Sequence, residues 1–221
     1  MEPRRGEIEL LRGEVTDPAV QDAIAQLAPD ELYHLGAPTF VPDSWERPAV
    51  TMAAIYGSAA ALLALVSRGL PDSRLFVACS AEIFGDAPEV PQSERTPCRP
   101  RSPYATAKLA AHQLLGQLRG RDHVFAVSGI LYNHESERRP ERFVTRKITR
   151  GAAEIALGIR SELELGDLSA TRDWSFAGDV MHGAWLSLQT DAPDDYVLAS
   201  GIGRTVQDLL TTAFARVGLD A

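Results

Sequence analysis

Cysteine is scarce: two in 221 residues, Cys79 and Cys98, with neither metal-ligand spacing nor the number a disulfide framework needs. That excludes a disulfide-stapled scaffold and a thiolate metal centre. No metal site is expected, and Cys79, at the end of an apolar run, is expected to be a buried free thiol. Positive charge is short as well, 22 Lys and Arg against 30 Asp and Glu, a formal net charge of -8. Phosphate backbones need a basic surface, so nucleic acid is not an expected partner. The opening MEPRRGEIELL has no apolar signal core, and a reducing, cytoplasmic setting is expected. Long apolar runs are missing with one exception, Ala49 to Val66, which is nearly long enough to span a bilayer. Its many alanines, with Thr51, Tyr56, Gly57 and Ser58, suit a helix packed closely on a sheet, so no membrane association is expected. Internal repeats and low-complexity segments are absent.

What is present is an alternation of short apolar runs and helical stretches. Strands are expected at Ile8–Leu11, Glu31–Leu35, Leu75–Ser80, His123–Ile130, Leu163–Leu165 and Tyr196–Ala199. Helices are expected from Thr16 or Asp17 to Ala28, from Pro48 to Gly69, from Pro103 to Leu118, from Phe143 to Leu157, from Gly178 to Leu188 and from Val206 to Val217. This alternation predicts an α/β fold with a doubly wound, mostly parallel sheet. A hydrophobic share of 45% is enough for one good core and a small second lobe. The single candidate boundary is the charged loop Asn133 to Arg142. Residues 1–140 then form the sheet-building part, and 141–221 a second region interleaved with the end of the sheet.

The chemistry concentrates between Phe76 and Lys108. The apolar run Leu75–Ala78 ends in small polar and acidic residues, the pattern of a buried parallel strand delivering Ser80 and Glu82 to its carboxyl end. Ser102 and Pro103 then open a helix that places Tyr104 and Lys108 one turn apart on one face. An ammonium beside a phenol favours the phenolate, and a nearby serine hydroxyl bridges substrate oxygen to tyrosine, so the three make a proton-transfer device. A Tyr and a Lys four apart are common on exposed helix faces; the strand ending in Ser-x-Glu is what raises the pair above that. The Arg-rich stretch Arg138–Arg150 is either a solvated face or a phosphate-binding cluster.

The segments CSAEIFG, VPQSERTPCRPRSPYATAKL, GILYNHESERRPERFVTRKITR and LGDLSATRDWSFAGDV together resemble the GDP-mannose 4,6-dehydratases of the extended short-chain dehydrogenase/reductase superfamily. The resemblance runs from about Leu10 to Leu219, and NHES followed by RR and FVTRKI is its most specific part. It implies a Rossmann-like fold, NADP as cofactor, and GDP-mannose or a related sugar nucleotide as substrate. The implied reaction oxidises C4 transiently, eliminates water across C5 and C6, and returns the hydride to C6. By the same resemblance Tyr104 is the catalytic tyrosine, Lys108 its partner and a cofactor contact, Ser80 the hydroxyl usually supplied by threonine, and Glu82 the acid/base for C5. The implied cofactor contacts are Glu14, Val15, Leu35, Gly36, Ala37, His134 and Arg139; the implied substrate contacts are Asn133, Val144, Lys147 and Arg172, the last as a diphosphate partner. Family members commonly form dimers or tetramers, and an open strand edge would favour association.

Against the family pattern, Pro38, Val50 and Ala81 replace polar residues or a tyrosine that relatives carry. A larger departure is the glycine-rich turn that holds the pyrophosphate in such folds. Gly6 and Gly13 are isolated, and Gly201-Ile202-Gly203 lacks the third glycine and lies in the substrate-side part, so it is a decoy. The resemblance therefore implies a chain beginning near the family's third strand, without the first βαβ unit, and ending before the substrate region is complete. Two alternatives follow: a catalytically silent sugar-nucleotide-binding module, and another sugar-nucleotide epimerase or reductase. Glu82 argues against the latter, because epimerases need no carboxylate for C5.

Overall fold

A computed structural model of the chain describes residues 8–220. Gly6 and most of the N-terminal stretch without a signal core lie outside the described residues.

The first helix, α1 (Pro18–Leu27), starts where Asp17 accepts a hydrogen bond from the Ala19 amide at 2.9 Å, with Pro18 at the position that needs no donor. Strand β1 (Glu31–His34) follows. Next come α2 (Val41–Glu46) and a helical run made of α3 (Pro48–Met52), one π turn (Ala53–Gly57) and α4 (Ser58–Gly69). Strand β2 (Arg74–Ala78) leads through a 3-10 turn (Ala81–Ile83) to the long α5 (Pro103–Asp122) and β3 (Ala126–Leu131). The remainder comprises β4 (Asn133–Glu135), α6 (Val144–Ala156), β5 (Thr171–Phe176), α7 (Ala177–Ser187), β6 (Asp195–Leu198), β7 (Gly203–Thr205) and α8 (Val206–Ala215).

The main sheet has the order β1-β2-β3-β6 with all strands parallel, so their carboxyl ends share one side. Alternation along β2 explains its unbroken apolar sequence. Leu75 and Val77 pack with Leu62, Leu63 and Val66 of α4 and with Ala111 and Leu115 of α5, whereas Phe76 and Ala78 pack on the other face with Val180 and Ala184 of α7. Helices thus cover both faces, the doubly wound α/β arrangement that the alternation predicts. Glycine at 129 makes room for the fully buried Phe76, because a Cβ there would sit 2.2 Å from its ring. The helical run Pro48–Gly69 is long and apolar enough to cross a membrane by length and composition. In this fold its α4 segment supplies the core layer against β2 and α5.

A second, smaller sheet has the order β4-β5-β7, with β5 parallel to β4 and antiparallel to β7. Its core is Ile148 and Ala152 of α6 with Val206, Leu210 and Phe214 of α8.

Three expectations change. Ile8–Leu11 is not a strand: it is irregular and exposed, since β1 pairs only with β2 among the described residues and an apolar run without a ladder partner has nothing to satisfy its backbone. Leu163–Leu165 is also irregular; both leucines instead pack under the second sheet's core, Leu163 against the space left by Gly151. The strands of the second sheet, two of them three residues long, were not anticipated.

Candidate active site

The carboxyl ends of β1 and β2 and the first turns of α5 enclose the candidate site. Beyond β2 the chain turns sharply: Ser80 accepts from the Glu82 amide at 3.3 Å and caps the 3-10 turn, Gly85 donates to the Glu82 carbonyl, and Arg99 donates to the Ile83 carbonyl. Gly85 has φ +55°, and a Cβ there would lie 1.9 Å from the Arg99 carbonyl oxygen, so only glycine lets the loop fold back over the turn that presents Glu82. Ser80 is half-buried and Glu82 exposed.

Opposite, Ser102 caps α5 by accepting from the Ala105 amide at 3.1 Å, with Pro103 in the first turn. Tyr104 and Lys108 are both buried. Burial pushes the Tyr104 phenol up to about 12; the Ser80 hydroxyl pulls against this, Cys79 and Glu82 add to it, and Arg139 pulls weakly down. Four side chains, Cys79, Ser80, Glu82 and Arg139, thus act electrostatically on one phenol. The expected help from Lys108 is not what the geometry shows. Its ammonium donates to the Ala78 carbonyl at 2.7 Å and lies 5.8 Å from the Tyr104 ring centre, and burial lowers its own pKa.

Leu35 and Gly36, at the end of β1, are exposed, and a Cβ on Gly36 would meet nothing within 4 Å. Ala37 packs beside Tyr104 with Ile55 and Ala107. The strand's last residue, His34, was not anticipated. Its Nε2 is 3.0 Å from Ser58 Oγ, and burial, reinforced by the Lys108 charge, lowers its pKa to about 4, so it stands neutral beside the lysine.

His134 Nδ1 is 2.9 Å from the Tyr132 carbonyl. Arg139 grips Glu135 with two hydrogen bonds of 2.6 and 2.8 Å, donates to the His134 carbonyl, and stacks 4.4 Å from the Phe143 ring centre; Thr145 also donates to Glu135. Much of the Arg-rich stretch is ion-paired in this way, Arg142 with Asp43 and Arg150 with Glu141 and Glu154, which favours the solvated-face reading for those two. Asn133, Val144, Lys147 and Arg172 are all exposed, distributed over β4, α6 and β5. Glu14 and Val15 lie apart from Tyr104: the Glu14 carbonyl accepts from Asp17, and Val15 packs against the α4 and α5 face.

Lys108, the open backbone at Leu35 and Gly36, and Tyr104 are the residues that would hold a cofactor's ribose and flat ring. At the N-terminus of α1 the Asp17 carboxylate caps the helix end, where a phosphate would need bare amides. The Gly201–Gly203 stretch offers none either, because the Ser200 and Gly201 amides donate to Asp173 at 2.9 and 2.7 Å.

A doubly wound parallel sheet with Ser, Tyr and Lys at its carboxyl edge defines a Rossmann-like protein of the short-chain dehydrogenase/reductase type. The sequence profile of the family described as GDP-mannose 4,6 dehydratase matches residues 2–221, and the chain belongs to that family. Among curated relatives, GDP-mannose 4,6 dehydratase 2 of Arabidopsis thaliana is 46% identical over 198 residues, covering 88% of this chain and 53% of the relative. The GDP-mannose 4,6-dehydratase of Sinorhizobium fredii is 42% identical over 210 residues, covering 94% and 60%. The chain thus spans little more than half the length of these relatives. Among solved structures, RMD from Pseudomonas aeruginosa complexed with NADPH aligns with a TM-score of 0.86 at 25% identity, covering 95% of this chain and 73% of that one. The NAD-dependent NDP-hexosamine 5,6-dehydratase TunA aligns with a TM-score of 0.82 at 23% identity, a likeness of fold.

Proposed function

We propose that this chain carries the catalytic site of a sugar-nucleotide 4,6-dehydratase acting on GDP-mannose, with a nicotinamide cofactor, NADP by family, in a cytoplasmic setting. The observation that carries the reading is the packing of the 3-10 turn after β2, flanked by Ser80 and carrying Glu82, against α5, whose first turns carry the buried Tyr104 and Lys108. The bound cofactor would supply one function, accepting the hydride from C4 and returning it to C6.

This chain's residues supply the proton transfers. Ser80 and Tyr104 hold the 4-hydroxyl, and Tyr104 takes its proton as the 4-keto sugar forms. With the phenol pushed up to about 12, that step requires the Lys108 ammonium to leave the Ala78 carbonyl and face the phenol. Glu82, exposed at the rim, takes the proton from C5, made acidic by the adjacent ketone, and gives a proton to the departing 6-hydroxyl, which leaves as water; a solvent-derived proton then enters C5 as the hydride returns to C6. Leu35, Gly36, Ala37, Lys108 and His134 line the cofactor side; Glu14 and Val15 take its adenine end. Arg139 holds the NHES loop against α6 and tunes Tyr104. Asn133, Val144, Lys147 and Arg172 hold the nucleotide. In this division residues 1–140 carry the cofactor and 141–221 the substrate, with β6 returning to the first sheet.

The test is turnover of GDP-mannose in deuterium oxide with added NADP. The expected product is a 4-keto-6-deoxy sugar nucleotide carrying deuterium at C5, and Glu82→Gln abolishes it. Product without C5 deuterium would overturn the role of Glu82.

A further inference from the structure

The second sheet places two arginines directly opposite one another. Arg172 on β5 is the cross-strand partner of Arg204 on β7, so both side chains stand on the same face with Cβ atoms about 5 Å apart. Like charges in that position repel, and a chain with 30 acidic residues has ample means to neutralise them. It does not do so. Nearby Arg139, Arg142 and Arg150 each hold a carboxylate, while among the described residues neither Arg172 nor Arg204 has one within ion-pair distance. Asp167 and Asp208 act on these charges only from beyond ion-pair distance, their oxygens accepting instead from the Ser169 amide and hydroxyl and from the Thr205 amide in the capping box of α8. Arg172 itself spends one N–H on the Thr171 carbonyl at 2.8 Å.

The pair also ends a row. Asn133 on β4 is the cross-strand partner of Trp174, Trp174 is two residues from Arg172 on β5, and Arg172 faces Arg204; all four therefore stand on one face of the sheet. We infer that Arg204 is a second anchor for the diphosphate of the sugar nucleotide, forming with Arg172 a two-guanidinium clamp at the end of this row. Guanidinium groups bind phosphate oxygens in pairs, and a dianion between them turns the repulsion into attraction. This inference rests on the substrate side proposed above and adds a specificity-determining residue to it.

The experiment measures GDP binding to the full 221-residue chain by titration calorimetry at two salt concentrations, with Arg204→Gln and, as control, Arg216→Gln at the exposed end of α8. Arg204 is exposed, so its replacement leaves the fold intact, which circular dichroism checks. The expected result is a loss of GDP affinity of about tenfold or more for Arg204→Gln, with a shallower salt dependence and no change for Arg216→Gln. Equal affinity of Arg204→Gln and the parent chain overturns the clamp and leaves the sugar-nucleotide site standing. Equal losses in both variants overturn it in favour of general charge attraction. No GDP binding by the folded parent chain overturns the site itself.

Discussion

Tyr104 and Glu82 differ in what their surroundings ask of them. The phenol is buried and held protonated at neutral pH; the carboxylate is exposed at the rim. Replacing Tyr104 by Phe is expected to lower turnover of GDP-mannose by roughly 100-fold or more while leaving GDP affinity unchanged, since the proton acceptor is lost and no nucleotide contact is. Rate and binding measured on the same preparation check both halves. His34 makes a prediction about pH. Its folded pKa, lowered to about 4 by burial and then by Lys108, lies below its ordinary value, so the unfolded chain binds the extra proton first. Its contribution is therefore complete above about pH 6.5 and is lost as pH falls toward 4, on the order of 2 to 3 kcal/mol. Urea midpoints across that range should flatten in His34→Gln relative to the parent. The residues legible in the sequence are those whose signal is local: Ser80 and Glu82 at a strand end, Tyr104 and Lys108 a helical turn apart. His34 with Ser58, 24 positions on, and Arg204 opposite Arg172 were not legible, because only the folded chain brings them together. Lys108 was placed on the right face, but its preference for the Ala78 carbonyl belongs to the packing of α5 on β2.

Helices α4 and α5 position this chemistry, and their caps and cores were readable. Ser102 and Pro103 announce α5, and the alanine-rich α4 announces close packing. Leu63 is fully buried between α4 and the sheet, so Leu63→Ala is expected to cost about 2–5 kcal/mol in urea unfolding, which a helix facing lipid or solvent would not show. Ser102→Ala is expected to cost about 1 kcal/mol through loss of the cap. The second sheet was hidden for a physical reason. TRDWSF carries charge on both faces, and three-residue strands such as Gly203–Thr205 have no period to detect; what makes them strands is pairing with one another. The opposite error, Ile8–Leu11, is an apolar run with the right composition and no ladder partner among the described residues.

For the molecule as a whole, a parallel sheet with helices on both faces leads through β2 to Ser80 and Glu82, with Tyr104 and Lys108 on the adjoining α5, and a small second sheet shares a core with α6 and α8. The most direct measurement is the initial rate of 4-keto product formation from GDP-mannose as a function of NADP, with the 221-residue chain. The account predicts measurable, NADP-dependent turnover that vanishes in Tyr104→Phe. A folded chain that binds GDP yet forms no 4-keto product at any NADP concentration would contradict it and leave the site a binding module.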